Sequence, residues 1–211
     1  IGRRQSLLRW AEAREGRYII EDDYDSEFRF SGRPIPALQS LDGGERVVYL
    51  NTFAKSLAPS LRISYMVLPE HLLKLYRKKL GFYACTVSNF EQYTLEAFLR
   101  EGYFEKHINR MRNYYRGKRD TVIRAIRSGA LKKRIRVLEE DAGLHFLIRI
   151  DTELSDEEVK ERLAGQGIRM KCLTDYSYCH NPFYTHMFVV NYSGVEEERL
   201  PEAMERLQKC I

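Results

Sequence analysis

Residues 46–68 read Arg46-Val47-Val48-Tyr49-Leu50-Asn51-Thr52-Phe53-Ala54-Lys55-Ser56-Leu57-Ala58-Pro59-Ser60-Leu61-Arg62-Ile63-Ser64-Tyr65-Met66-Val67-Leu68. Two β-rich runs, 46–50 and 62–68, flank a polar loop at 51–61, and Pro69 closes the second run. Upstream, Arg17-Tyr18-Ile19-Ile20-Glu21 reads as another short buried strand, running into Asp22-Asp23-Tyr24-Asp25. Helical patterns surround these strands. Residues 4–15 put Leu7, Leu8 and Ala11 on one face, with Gly16 as a C-terminal stop. Residues 70–79 and 89–100 are also predicted helices. Short strands bounded by turn residues and interleaved with helices predict an α/β layered fold.

The clearest helix is 104–127, where Phe104, Ile108, Met111, Tyr115, Val122 and Ile126 form one continuous apolar stripe. A helix of that length can bridge two subdomains. Beyond it, 135–138 and 144–150 read as strands. Ser155 and Glu158 form a capping box that opens a helix ending near Gly165. A last strand is expected at 186–192, then a terminal helix through Met204 and Leu207. Glu196-Glu197-Glu198 falls at the start of that helix, where negative charge complements its dipole. The tail therefore predicts a small α+β subdomain, and the expected division is 1–104 and 105–211.

The chain has 211 residues, 44% of them hydrophobic. At roughly 100–200 residues per domain, that allows one large domain or two small ones. No window approaches the ~20 uninterrupted apolar residues of a membrane span, and no basic-then-apolar signal segment opens the chain. Abundant aromatics (14 Tyr, 10 Phe) argue against disorder. The net charge of +5 is small beside 35 basic and 30 acidic groups. Cys85, Cys172, Cys179 and Cys210 are sparse and irregularly spaced, which fits reduced thiols in a cytoplasmic protein. The chain opens Ile1-Gly2-Arg3-Arg4, without Met and directly into a helical pattern, so it reads as a piece of something longer.

Two loops stand at the ends of apolar strands, where α/β sheets hold ligands. One carries Asp22, Asp23 and Tyr24; the other runs from Thr52 to Arg62. A lone lysine is most often a solvated charge, but the neighbours of Lys55 supply a set. A pyridoxal phosphate site needs a lysine amine for the Schiff base and a carboxylate facing the ring nitrogen. It also needs hydroxyls and an arginine fork for the phosphate, and a phenol near the ring oxygen. Asp22, Tyr24, Thr52, Lys55 and Arg62 provide each chemical type. Adjacent carboxylates on a strand point to opposite faces, so only one of Asp22 and Asp23 can face a ring.

Other clusters read more plainly. Cys172, Cys179, His180 and His186 match no paired zinc spacing, and no metal site is expected. His145 lies in an apolar strand as a packed or half-exposed histidine. The basic residues of 104–127 flank an apolar stripe and read as a solvated face, not a nucleic-acid surface.

Tyr18 through Phe28, Pro36-Ala37-Leu38-Gln39-Ser40-Leu41-Asp42, and Thr52 through Leu57 with Pro59 and Leu61-Arg62 closely resemble the MocR subfamily of GntR-type bacterial transcriptional regulators. The similarity continues through Lys106-His107-Ile108, Met111-Arg112, Tyr115, Lys118-Arg119-Asp120 and Ala142-Gly143-Leu144-His145. Such proteins join a winged helix-turn-helix domain to a domain with the class I aminotransferase fold (fold type I). The resemblance implies part of that large domain followed by the small C-terminal subdomain, with pyridoxal 5'-phosphate as cofactor. It makes Lys55 the Schiff-base lysine, Asp22 the pyridinium partner and Tyr24 the donor to the ring oxygen. Thr52 and Arg62 become phosphate ligands. It further implies an amino-acid or amine effector, a homodimer, and DNA contact only through an N-terminal winged-helix domain. Two positions depart from the pattern. Val189-Val190-Asn191-Tyr192 stands where an Arg-Leu-Gly-Phe stretch is common, so Val189 replaces the arginine that would clamp a substrate carboxylate. Ala54 stands where a serine is common. The N-terminal half of the aminotransferase-like domain, outside this sequence, would bring a phosphate-cradling turn and a ring that stacks on the pyridine. A catalytic aminotransferase would use the same cofactor residues, and an inert binding or dimerisation module is the third reading.

Overall fold

The computed structural model describes residues 2–30, 35–141, 143–179 and 181–211. The chain divides into two compact units, one holding described residues up to 27 and from 35 to 108, the other holding 28–30 and 109–211. The boundary between the units falls after Ile108, inside helix Tyr103–Ile126. Side-chain packing explains both details. Phe104 meets Phe53 edge-on at 5.9 Å within the first unit. Phe28 is buried within the second, edge-on to Tyr115 at 5.2 Å, and Phe30 N donates to the Asp141 carbonyl at 3.0 Å.

In the first unit the described order is α1 (Gly2–Glu12), β1 (Ile19–Asp22), α2 (Leu38–Leu41), β2 (Val47–Thr52), α3 (Phe53–Ser56), β3 (Ser64–Val67), α4 (Glu70–Leu80) and α5 (Asn89–Arg100). The first turn of α6 (Tyr103–Ile126) follows. The strands form a sheet in the order β1-β2-β3, with β1 parallel and β3 antiparallel to β2. Ile19 pairs with Val47 and Asp22 with Leu50, while Thr52 pairs with Ser64. One sheet face carries Ile19 and Val47 into a small core with Leu8 and Leu38. Glu21, on that same face, accepts from Leu38 N at 2.7 Å and Gln39 N at 3.0 Å. It thereby caps α2, whose own N-cap residue Ala37 has no side chain able to do so. Asp42 likewise gathers the amides of Gly44, Arg46 and Val47, fixing the entry into β2. The opposite face is open: Ile20 is 69% exposed and Met66 44%.

The second unit contains the rest of α6, then β4 (Ile135–Leu138), β5 (His145–Ile150), α7 (Asp156–Gly165), β6 (Lys171–Cys172), β7 (Met187–Asn191) and α8 (Leu200–Cys210). Its sheet is antiparallel throughout, in the order β4-β5-β7-β6. Phe146, Ile148, Ile150 and Phe188 alternate inward and meet Val122, Ile123 and Ile126 of α6, Val159 and Leu163 of α7, and Leu207 of α8. Each such side chain contributes about 1.5–3 kcal/mol by leaving water. This is where the core sits. Tyr192 stacks on Phe146 at 5.8 Å and its hydroxyl donates to the Gly143 carbonyl, which satisfies a buried phenol. Ser155 and Glu158 form the expected capping box. The helix they open stops at a glycine turn: Gly167 takes φ 76°, its N–H donates to the Ala164 carbonyl, and Ile168 N donates to the Leu163 carbonyl. β6 has only two residues, too few to carry a strand pattern in the sequence; it adds an edge to the sheet of the tail.

Among the described residues no helix is long and apolar enough to cross a membrane.

Candidate functional site

The expected site residues all fall in or beside the three-stranded sheet, and its connectivity brings them to one edge. Parallel β1 and β2 finish together, because Asp22 pairs with Leu50 and Asp23 N donates to the Leu50 carbonyl at 2.9 Å. Two residues later Thr52 ends β2 and caps α3, its Oγ1 accepting from Ala54 N at 3.2 Å. Lys55 rides on that single turn. Since β3 runs antiparallel, Arg62, just ahead of Ser64, returns to the same edge. Tyr24 lies two residues past Asp22.

Asp22, Tyr24, Lys55 and Arg62 are exposed at that edge. Neither the Asp22 carboxylate nor the Lys55 amine makes a hydrogen bond or ion pair among the described residues. The Arg62 guanidinium has one long contact, 3.5 Å to the Pro59 carbonyl. Thr52 is more occupied, because its hydroxyl donates to the Ile63 carbonyl at 3.3 Å. To hold an anion, it must turn its only hydrogen away from that carbonyl.

Strand alternation separates the two aspartates. Asp23 lies on the other face, where Tyr49 Oη donates to its Oδ2 at 2.9 Å and Asn51 Nδ2 donates to Tyr49 Oη at 3.0 Å. Tyr65 stands beside Tyr49, ring centroids 6.2 Å apart. Burial pushes the Tyr49 phenol well above the ordinary tyrosine value, and the neighbouring Asp23 charge adds to the rise. Burial raises Tyr65 as well. Glu27 is raised chiefly by burial, with Asp23 and Asp25 adding repulsion and Asn51 opposing through a hydrogen bond. Asp23 thus belongs to a partly buried acid–phenol network, and Asp22 is left outside it.

The donor set matches pyridoxal phosphate in chemistry: an amine and a carboxylate without partners among the described residues, a phenol, and a guanidinium with one long contact. The orphaned Ser56 Oγ beside Lys55 points the same way, for it is buried without a partner among the described residues. Ser56 offers its carbonyl to His107 Nε2 at 3.0 Å. Nothing in the sequence singled out that contact, because it joins residues 51 positions apart.

Elsewhere, the described residues contain no group of three or more metal-ligating side chains. His180, one member of the considered cluster, lies outside the described residues, as does Ala142. Cys172 is fully buried, and its thiol donates to Asp156 Oδ2 at 3.0 Å. Burial, together with that carboxylate, pushes the thiol up, so it is a packed and unreactive group. His145 is exposed at the start of β5. Val189 is half-buried in β7, between Leu147 of β5 and Lys171 of β6.

The fold is that of the fold type I aminotransferases: the multiple substrate aminotransferase of Thermococcus profundus superposes with a TM-score of 0.82 at 26% identity, covering 100% of this chain and 51% of that one. Residues 5–207 match the profile of aminotransferase class I and II, and the chain belongs to that family. Its curated relatives include the uncharacterized HTH-type transcriptional regulator YdeL of Bacillus subtilis (strain 168), 42% identical over 208 residues, or 99% of this chain and 44% of YdeL. The probable rhizopine catabolism regulatory protein MocR of Rhizobium meliloti is 36% identical over 208 residues, 99% of this chain and 41% of MocR. The chain therefore spans less than half the length of these regulators.

Proposed function

We propose that this chain is the pyridoxal-phosphate-binding, effector-sensing domain of a MocR-type, GntR-family transcriptional regulator. The observation that carries the reading is the shared edge of β1 and β2, where the Asp22 carboxylate and the Lys55 amine both lack partners among the described residues. Identity of 42% and 36% to HTH-type regulators favours a sensor over an enzyme.

When bound, pyridoxal phosphate supplies an aldehyde that amines condense with and a ring that withdraws electrons. The chain's own groups define how it would be held. Lys55 offers the amine for covalent attachment. Asp22 keeps a proton on the ring nitrogen by opposing its positive charge. Tyr24 donates to the ring oxygen. Arg62 presents parallel N–H donors to the phosphate, and Thr52 adds a hydroxyl once it releases the Ile63 carbonyl.

Val189 has no charge with which to orient a substrate carboxylate, which weighs against efficient transamination. The effector is an amine or amino acid that competes with Lys55 for the cofactor. It acts in the cytoplasm on a homodimer, whose winged-helix domains contact DNA. To switch that protein, the effector must bind one conformation more tightly than the other. A swing from 1:99 to 99:1 requires about a 10⁴-fold preference.

The test is promoter binding by the full-length regulator, with and without pyridoxal phosphate and a panel of amines. A response in wild type that Lys55→Ala abolishes is expected. Equal responses in both proteins would remove the sensing role from Lys55.

A further inference from the structure

α3 is one turn long, so its last carbonyls have no partner within the helix. Leu57 N takes the Phe53 carbonyl at 2.8 Å, and the Ser56 carbonyl looks elsewhere. Ser56 is 2% exposed, so water is no substitute. The bond comes from α6, where His107 Nε2 donates at 3.0 Å. The same helix touches the other end of α3, where Phe104 meets Phe53 edge-on at 5.9 Å. Phe104 and His107 are three residues apart and therefore share one face of α6. α6 thus grips the first and last residues of α3, and Lys55 lies between the two contacts.

We propose that His107 is a positioning residue that fixes the backbone turn presenting the Lys55 amine. The inference rests on the reading of Lys55 as the cofactor lysine. A lysine side chain has four rotatable bonds, and its reach is defined only as well as its backbone. His107 makes no hydrogen bond to the Lys55 amine among the described residues. It anchors a carbonyl one residue away, and the anchoring atom is a donor whether the imidazole is neutral, with its proton on Nε2, or charged.

The experiment titrates the full-length protein with pyridoxal phosphate, following the absorbance of bound cofactor, its pH midpoint and borohydride trapping. His107→Ala is expected to bind about tenfold more weakly, or ~1.4 kcal/mol, and to move the pH midpoint by about half a unit. His107→Gln, whose side-chain N–H can reach the same carbonyl, should recover both. If His107→Ala does not fold, His107→Gln against His107→Leu makes the same comparison. Wild-type affinity and an unmoved midpoint in His107→Ala would overturn the proposal, as would a Gln variant no better than the apolar ones. Absence of any bound-cofactor band in wild type would instead defeat the reading of Lys55. A band in wild type that His107→Ala leaves unchanged defeats His107 alone.

Discussion

At Asp22 and Asp23 the two-residue period of a strand gives identical carboxylates different surroundings. Asp23 accepts from Tyr49 and belongs to a network with Asn51, whereas Asp22 faces the open side of the sheet. Asp22→Asn is expected to weaken pyridoxal phosphate uptake by at least about tenfold, measured by absorbance titration, because an amide cannot hold a proton on the ring nitrogen. Asp23→Asn should leave uptake near wild type and cost about 1 kcal/mol of stability in chemical denaturation. The alternation itself was legible in the sequence, and the family pattern favoured Asp22. The tyrosine network on the far face was not, since it depends on the register that sets Asn51 opposite Tyr65. Glu27 belongs to that network, and burial holds its carboxyl above the ordinary glutamate range. A carboxyl raised in the folded state contributes stability at low pH that is lost as pH rises through its folded value. Glu27→Gln should therefore flatten the fall in stability above the usual glutamate range, as followed by thermal unfolding across pH.

Among the elements, those with strong local signals were read correctly and those set by tertiary contacts were not. Ser88 accepts from Glu91 N and starts α5 at Asn89, as the pattern required. The capping box of α7 is carried entirely by Ser155 and Glu158, and Ser155→Ala should cost about 1 kcal/mol in denaturant unfolding. α3 went unseen as a helix because four residues inside a polar loop carry no periodicity. It forms because Thr52 caps it and Phe53 N reaches the Ile63 carbonyl at 3.0 Å. β6 is equally silent in sequence; Asp175 stabilises the turn after it by accepting from Cys172 N and from Lys160 Nζ at 2.7 Å. The Lys160 ammonium holds the Asp175 carboxyl below the ordinary aspartate range. A carboxyl lowered in the folded state stabilises above its unfolded value, and the contribution is lost as pH falls through the folded one. Asp175→Asn should cost about 1 kcal/mol at neutral pH. Its deficit should close as the solution is acidified, which denaturation at several pH values would reveal.

For the whole molecule, the α/β architecture and the small α+β tail followed from strand and helix periodicity. The limits of the two compact units are set by side-chain packing. Packing of Phe104 on Phe53 draws the start of α6 into the first unit, and packing of Phe28 on Tyr115 carries a short upstream segment into the second. Neither contact leaves a trace in local pattern. The chemistry of Asp22, Tyr24, Thr52, Lys55 and Arg62 was legible in the sequence as residue types alone. The pairing of β1, β2 and β3 was not, and it places the ends of β1 and β2 and the start of β3 at one end of the sheet. The most direct measurement is peptide mapping of the full-length protein after incubation with pyridoxal phosphate and reduction with borohydride. The phosphopyridoxyl label should reside on the peptide containing Lys55, and Lys55→Ala should remove it without redistribution to other lysines. A label scattered over exposed lysines, or one that persists in the variant, would contradict the account.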